Sequence, residues 1–255
     1  PADIFCSPND IEDLKRAVFI FKEYNMPFRV IGNGTNLLIL DNGIRGLVIN
    51  LNKDFKKIVF SDKIVKVGAG VSLVHLSKMA LNKELSGLEF ACAIPGTLGG
   101  AIINNASFKG KCMANIVQNV TFLTREKKIE KTSKSNLDFN YRECNLKGKP
   151  VVILEATLLL EKGSKEEIES RIKQNIEIRK ARQPLNKFSA GSIFKNPPGY
   201  YAGELAEKVG AKGLSRGKAQ VSSKHANFII NNGGASARDI LYLIEEIAQN
   251  CITGS

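Results

Sequence analysis

The sequence predicts an α+β protein built as two or three small domains, and three observations carry that expectation. Its 255 residues exceed what one simple core needs. The N-terminal stretch runs from a helical pattern into short strand-like runs, an α-then-β unit. After Pro184 the texture changes to short elements separated by glycines and polar turns.

In chain order, "SPNDIEDLKRAVFIFKEYN" opens on capping-type residues and then repeats Ile11, Leu14, Val18 and Phe21, which predicts an amphipathic helix. "MPFRVIGNGTNLLILDNGIRGLVINL" holds aliphatic runs broken by Gly and Asn, as in strands joined by tight turns. "KIVKVGAG" reads as a strand, followed by a helix from about Ser72 to Lys83. Further strands are expected in "NIVQNVTFLTREKKIEKTSKSNLDFNY" and "PVVILEATLLLEKG". "SKEEIESRIKQNIEIRKARQP" reads as a helix, with Ile168, Ile172 and Ile176 in one stripe and Pro184 just past its end. Beyond it come "FSAGSIFKNP", a small helix around "AGELAEKVG" closed by Gly210, an apolar strand "NFIIN", and a final helix whose Ser236 and Asp239 stand at capping-box spacing. Boundaries are placed near Leu185 and, more weakly marked, near Leu51.

Composition narrows the function classes. Hydrophobic residues are 43% and charged residues 24%, ordinary for a soluble globular protein, and no run is long enough to span a bilayer. The opening "PADIFCSPND" has neither a basic leader nor a hydrophobic signal core, so a cytoplasmic protein without membrane attachment is expected. The five cysteines are odd in number, widely spaced and without a C-x-x-C pair, and there are only two histidines; neither a disulfide framework, nor a zinc site, nor a histidine-rich metal centre is expected. A net charge of +12 favours anionic partners, either nucleic acid or phosphorylated small molecules. Nucleic acid is the weaker choice, because the basic residues are scattered, Trp is lacking and aromatics are 7%.

Two glycine-rich loops stand out: "GNGTN" (Gly32, Asn33, Gly34, Thr35, Asn36) and "IPGTLGG" (Ile94 to Gly100). Glycines let backbone N–H groups converge on phosphate or pyrophosphate oxygens, although each loop alone could be an ordinary turn. Two known phosphate signatures fail. After Gly68 and Gly70 the third glycine of G-x-G-x-x-G falls on Leu73, and "IPGTLGG" lacks the G-K-[ST] ending of a P-loop.

The ordered set "VIGNGTNLLI", "GLEFACAIPGTLGGAIINNAS", "FNYREC", "RKARQP", "SAGSIFKNP", "AGELAEKVGAKGL" and "AQVSSKHANFIIN" covers nearly the whole chain and closely resembles the UDP-N-acetylenolpyruvoylglucosamine reductase family. The resemblance implies a two-domain FAD-binding cradle (PCMH/VAO-like) plus a third small α+β substrate-binding domain, divided as 1–51, 52–184 and 185–255. It implies reduction of UDP-N-acetylglucosamine enolpyruvate to UDP-N-acetylmuramate in peptidoglycan biosynthesis, with NADPH as reductant. No histidine occurs between Cys92 and Gly110 to carry a covalent link, so FAD is expected to be non-covalent. Little separates the strand ending near Leu160 from the helix starting near Glu166, which resembles the short class lacking an extra subdomain. A monomer is expected.

Residue by residue, the resemblance implies FAD contacts from Gly32, Asn33, Gly34, Thr35, Asn36, Leu37, Pro95, Gly96, Thr97, Gly99, Gly100, Asn105 and Tyr141. It makes Ser192 of "GSIFKNP" the proton donor to the carbon left negative after hydride transfer. Arg142 of "NYREC" would hold the enolpyruvyl carboxylate, a task that suits a permanently charged, forked guanidinium. Arg179, at the edge of its helix's apolar stripe and facing a domain contact, would be a ligand for the substrate or nicotinamide phosphates, and Asn196, Lys212 and His225 would line the UDP or carboxylate site. Two departures are visible. The family's M-N-A-G-A-Y-G is "NNASFKG" here, keeping Asn105 but changing the loop at the flavin edge, and no glutamate stands in a final strand of the pattern E-V-x-x-x-G. The alternatives are another FAD-linked oxidase on the same cradle, which the serine motif disfavours, and a basic nucleic-acid-binding module, which would be colourless.

Overall fold

In the computed structural model, which describes residues 1–254, an edge strand β1 (Ala2–Cys6) precedes helix α1 (Ile11–Glu23). Asp10 starts the helix by accepting hydrogen bonds from the amides of Glu12 and Asp13, which satisfies two donors that the first turn leaves unpaired. Leu14, Val18 and Phe21 form the buried stripe, each burial contributing about 1.5–3 kcal/mol. Strands β2 (Phe28–Val30) and β3 (Ile44–Ile49) follow, and β3 lies between β1 and β2 with both neighbours parallel. This corrects the expectation of tight turns here. Parallel neighbours need a crossover connection, so 31–43 is a long excursion, and Leu37 to Leu40 form no strand and stay exposed. The strand β1 was not anticipated.

Next come β4 (Ile58–Ser61), β5 (Ile64–Gly68), α2 (Leu73–Asn82), β6 (Leu85–Ser86), α3 (Leu98–Ile103), β7 (Ser107–Phe108), β8 (Lys111–Cys112), α4 (Met113–Ile116), β9 (Val117–Thr124), β10 (Ile129–Ser133), β11 (Val151–Leu159) and β12 (Glu161–Lys162). The main sheet runs β10-β9-β11-β5-β4 and is antiparallel throughout. Along β11, Ala156 and Leu158 point into the core while Glu155, Thr157 and Leu159 face outward, the period-two alternation of a sheet with one packed face. Only residues 160–164 separate β11 from α5 (Lys165–Arg182). Of its expected stripe, Ile168 is fully buried whereas Ile172 and Ile176 are half-buried.

The last part holds β13 (Phe188–Ser192), α6 (Ala202–Lys208), β14 (Ser215–Arg216), β15 (Ala219–Val221), β16 (Phe228–Asn231) and α7 (Ala237–Thr253), with sheet order β13-β16-β15-β14. The Ser236–Asp239 capping box that opens α7 is present as expected, and Gly210 takes a left-handed backbone just past α6. The chain packs as two compact units. The larger comprises 2–33 and 44–176; among the described residues the smaller comprises Pro1, 34–43 and 177–254, the division falling within α5. Each has its own core, the smaller one built around Ala206, Val221, Ile229, Leu243 and Ile247. Part of the excursion belongs to the smaller unit, where Asp41 Oδ1 accepts from the Ala237 amide at the first turn of α7.

Candidate active site

In the larger unit the start of the first glycine loop lies against the second. A Cβ on Gly32 would stand 2.3 Å from Thr97 Oγ1, so only glycine permits this approach. Asn33 Nδ2 donates to the Pro95 carbonyl at 2.8 Å, and Asn50 Nδ2 donates to the carbonyls of Ile31 and Gly32 at 2.8 and 2.9 Å. The second loop is tied to the end of β5: the amides of Leu98 and Gly99 donate to Val71 and Ala69, and Leu73 donates to Gly96. Gly99 therefore serves close packing, its missing Cβ lying 3.2 Å from that of Ala69. Around Gly96, by contrast, the space is open.

Glu89, at the approach to this loop, is almost buried. Burial alone would raise its carboxyl pKa, but the amides of Glu89 and Gly87, the Ser86 hydroxyl and the Arg171 guanidinium outweigh that and hold it below the usual glutamate range. Arg171 Nε reaches Glu89 Oε1 at 3.0 Å, while Asn175 Nδ2 donates to the Glu89 carbonyl at 2.9 Å, so α5 anchors the loop's entry.

Arg142 occupies a tight turn in the same unit. Asn140 and Glu143 exchange both backbone hydrogen bonds across it, and Arg142 has φ of 59°, a left-handed conformation uncommon for a side chain of its size. Two polar groups hold the turn. Asn105, 7% exposed, donates from Nδ2 to the Asn140 carbonyl at 3.1 Å and accepts at Oδ1 from the Ala114 amide at 3.0 Å. Lys147 Nζ joins the Arg142 carbonyl and Asn104 Oδ1 at 3.3 and 3.1 Å. The Arg142 guanidinium lies 5.7 Å from the ring of its neighbour Tyr141, which is exposed.

In the smaller unit Ser192 is the last residue of β13, exposed and paired with Phe228. The register shifts between Ser189 and Ser192, and Gly191 takes φ of 81°, so a bulge turns the strand immediately before the serine. Asn36 is beside it, its Oδ1 3.9 Å from where a Gly191 Cβ would stand, whereas Thr35 is half-buried and Leu37 exposed. Asn196 Oδ1 accepts from the Ala202 amide at 3.0 Å, tying the motif's end to α6. Lys212 pairs with Glu207 at 2.6 Å, and Arg179 Nε donates to Gln183 Oε1 at 2.9 Å. His225 Nδ1 accepts from the Asn227 amide at 3.2 Å, which leaves the ring proton of the neutral imidazole on Nε2. Burial pushes its pKa down, helped by Lys212 and Arg182 and opposed by Glu207.

Two family models match this chain: "FAD binding domain" over residues 2–133, and "UDP-N-acetylenolpyruvoylglucosamine reductase, C-terminal domain" over 183–252. The UDP-N-acetylenolpyruvoylglucosamine reductase of Anoxybacillus flavithermus is 43% identical over 248 residues, 97% of this chain and 82% of that one. The chain belongs to the UDP-N-acetylenolpyruvoylglucosamine reductase family. The crystal structure of the Thermus caldophilus reductase superposes with a TM-score of 0.86 at 36% identity, covering 96% of this chain and 87% of the other. A chitooligosaccharide oxidase matches 63% of this chain and 36% of its own at 15% identity and a TM-score of 0.51, a likeness of fold alone. Membership makes the protein an FAD-dependent oxidoreductase with NADPH as reductant, acting on the UDP-linked enolpyruvyl sugar of peptidoglycan synthesis.

The loops fit the flavin cofactor. A Cβ on Gly32 would strike Thr97, whereas one on Gly96 would meet nothing within 4 Å, so the small residues bring the two loops together and leave open space beside Gly96 for the cofactor. Among the described residues, no helix is long and apolar enough to cross a membrane. Three asparagines outside the site residues expected to act on substrate carry much of this geometry: Asn50 behind the first glycine loop, Asn104 beside Lys147, and Asn227 behind Ser192. Their only signal in the sequence is a polar residue flanking an apolar element, which turns and caps share.

Proposed function

We propose that Ser192 and Arg142 carry the substrate half of the family reaction, supported chiefly by the backbone devices that fix each of them: the Gly191 bulge and the Arg142 turn. When bound, FAD supplies to the enol-ether carbon distal to the carboxylate a hydride obtained from NADPH. Negative charge then develops on the carbon bearing the carboxylate. Arg142 holds that carboxylate and stabilises the charge, using two forked donors that cannot lose their proton near neutrality. The Ser192 hydroxyl donates its proton to the carbon and regains one from water, which reaches an exposed residue. A serine is a weak acid, so positioning against a strongly basic carbanion makes the transfer feasible.

Gly32, Asn33, Gly34, Thr35, Asn36, Leu37, Pro95, Gly96, Thr97, Gly99, Gly100, Asn105 and Tyr141 form the FAD site in this reading. Gly99 and Asn105 contribute through the backbone they hold in place. Arg179 binds the substrate or nicotinamide phosphates, and Asn196, Lys212 and His225 line the UDP or carboxylate site, where a neutral His225 offers Nε2–H as a donor. Sheet membership supports the division into 1–51, 52–184 and 185–255, because each of the three larger sheets is drawn wholly from one segment. The protein acts as a cytoplasmic monomer on a small molecule, without nucleic acid or membrane, its excess positive charge serving the phosphates of its ligands.

The test separates the half-reactions by stopped flow. Ser192→Ala should reduce its flavin with NADPH at close to the native rate, but reoxidation by UDP-N-acetylglucosamine enolpyruvate should slow by about 10²–10⁴-fold. Equal losses in both halves would reduce Ser192 to a supporting residue.

A further inference from the structure

We propose that Asn227 is a positioning residue for Ser192, holding the backbone just beyond the serine through its side-chain amide. The inference rests on Ser192 as proton donor. The ladder between β13 and β16 pairs Phe188 with Asn231, Ser189 with Ile230 and, past the bulge, Ser192 with Phe228. Beyond Ser192 the two strands part, yet the next backbone groups remain paired. The Ile193 amide donates to the Asn227 carbonyl at 3.0 Å. The Phe194 amide donates to Asn227 Oδ1 at 2.8 Å, and Asn227 Nδ2 donates to the Phe194 carbonyl at 3.0 Å. One side chain thus stands in for a strand's N–H and C=O and extends the ladder past the serine.

Asparagine is the residue this arrangement needs. Its amide presents one acceptor and one donor, matched to the donor and acceptor of a single residue; aspartate would set an oxygen against the Phe194 carbonyl, and leucine would leave both groups unpaired. Asn227 is 4% exposed, so these bonds face no water that could replace them. Its own amide is held by His225 Nδ1, which orients the clamp. Ser192 is therefore fixed on one side by the Gly191 bulge and on the other by Asn227. Proton transfer to a transient carbanion tolerates little displacement, and a shift of about 1 Å in a reacting group costs on the order of 100-fold in rate.

The experiment compares the native holoprotein with Asn227→Asp, Asn227→Gln, Ser192→Ala and the Asn227→Asp/Ser192→Ala double variant. Measurements are amide hydrogen exchange over residues 188–197 and the two half-reactions. Asn227→Asp should accelerate exchange at Ile193 and Phe194 and slow reoxidation by about 10–100-fold, with flavin reduction by NADPH within about twofold of native. Asn227→Gln keeps both groups on a longer arm and should show the same pattern more weakly, which covers the case in which aspartate prevents folding. The double variant should be no slower than Ser192→Ala alone, since Asn227 acts through that hydroxyl. Faster exchange with unchanged reoxidation, or losses that multiply in the double variant, would overturn the proposal. Native reoxidation in Ser192→Ala would instead remove the donor reading on which it rests.

Discussion

The Arg142 turn in the larger unit and the Ser192 strand in the smaller one solve the same problem with different materials. Each presents a polar side chain from a backbone irregularity, and each irregularity is backed by a nearly buried asparagine, Asn105 or Asn227. At the serine the left-handed conformation falls on the neighbouring Gly191, which adopts it without a Cβ penalty. At the arginine it falls on Arg142 itself, and on Asn105 as well, whose φ is 38°. The asparagines differ too. Asn227 closes both of its bonds on one residue, Phe194, whereas Asn105 joins Asn140 to Ala114 and so ties together segments remote in sequence. Both reach far along the sequence, over 33 and 35 residues, but the first clamps a single residue whereas the second is a knot joining two segments.

The largest stability effect should therefore come from the larger unit. Asn105→Ala leaves the Ala114 amide without its partner, removes one of the two donors to the Asn140 carbonyl, and puts a residue of poorer left-handed propensity at that φ. A loss of about 2–4 kcal/mol is expected, read by chemical denaturation, together with loosened FAD binding. If stability hardly changes, the knot is not a knot. Gly191→Ala is the matching test in the smaller unit. A Cβ there meets only Asn36 Oδ1 at 3.9 Å, so the cost is conformational, about 1 kcal/mol, but the displaced serine should slow reoxidation more than stability alone would suggest. Stability and reoxidation falling in proportion would count against a positioning bulge.

A smaller effect distinguishes the units by pH. His225 has a folded pKa below its ordinary 6.5, so its contribution to stability is present above that value and declines as pH falls through it toward the folded pKa. Glu89 is likewise held below its ordinary 4.5, and its contribution is lost only as pH falls beneath that value through its own folded pKa. Acidification should loosen β13 and β16 before the Glu89 loop, which hydrogen exchange measured across pH 4 to 7 would check, pH 4 being about the usual carboxylate value. Simultaneous loosening would mean that other groups govern both.

What was legible in the sequence follows the range of the interactions. Helix α2 lies within the expected Ser72 to Lys83, and the capping box of α7 stands where Ser236 and Asp239 placed it, because spacing along one segment encodes both. The parallel pairing of β2 and β3 was not legible: pairing is decided by a partner strand, and β1 gave no alternating pattern to reveal itself. The proposed roles of Ser192 and Arg142 come from the likeness of their motifs to a family, not from periodicity. Asn227 and the structural use of Asn105 stayed hidden because their partners are backbone groups 33 and 35 residues away, and backbone groups leave no mark on composition. The sequence shows which side chains do chemistry more readily than which ones aim them.

We propose that Ser192 and Arg142 both serve the substrate half-reaction. That joint role is tested most directly by reoxidation of the pre-reduced protein in a cycle of native, Arg142→Lys, Ser192→Ala and the double variant, under single-turnover conditions with saturating enolpyruvyl nucleotide. Groups that serve one transition state are strongly non-additive, so the double variant should lose little more than the slower single variant. Losses that multiply across the cycle would mean that the two residues contribute independently of one another and contradict the account.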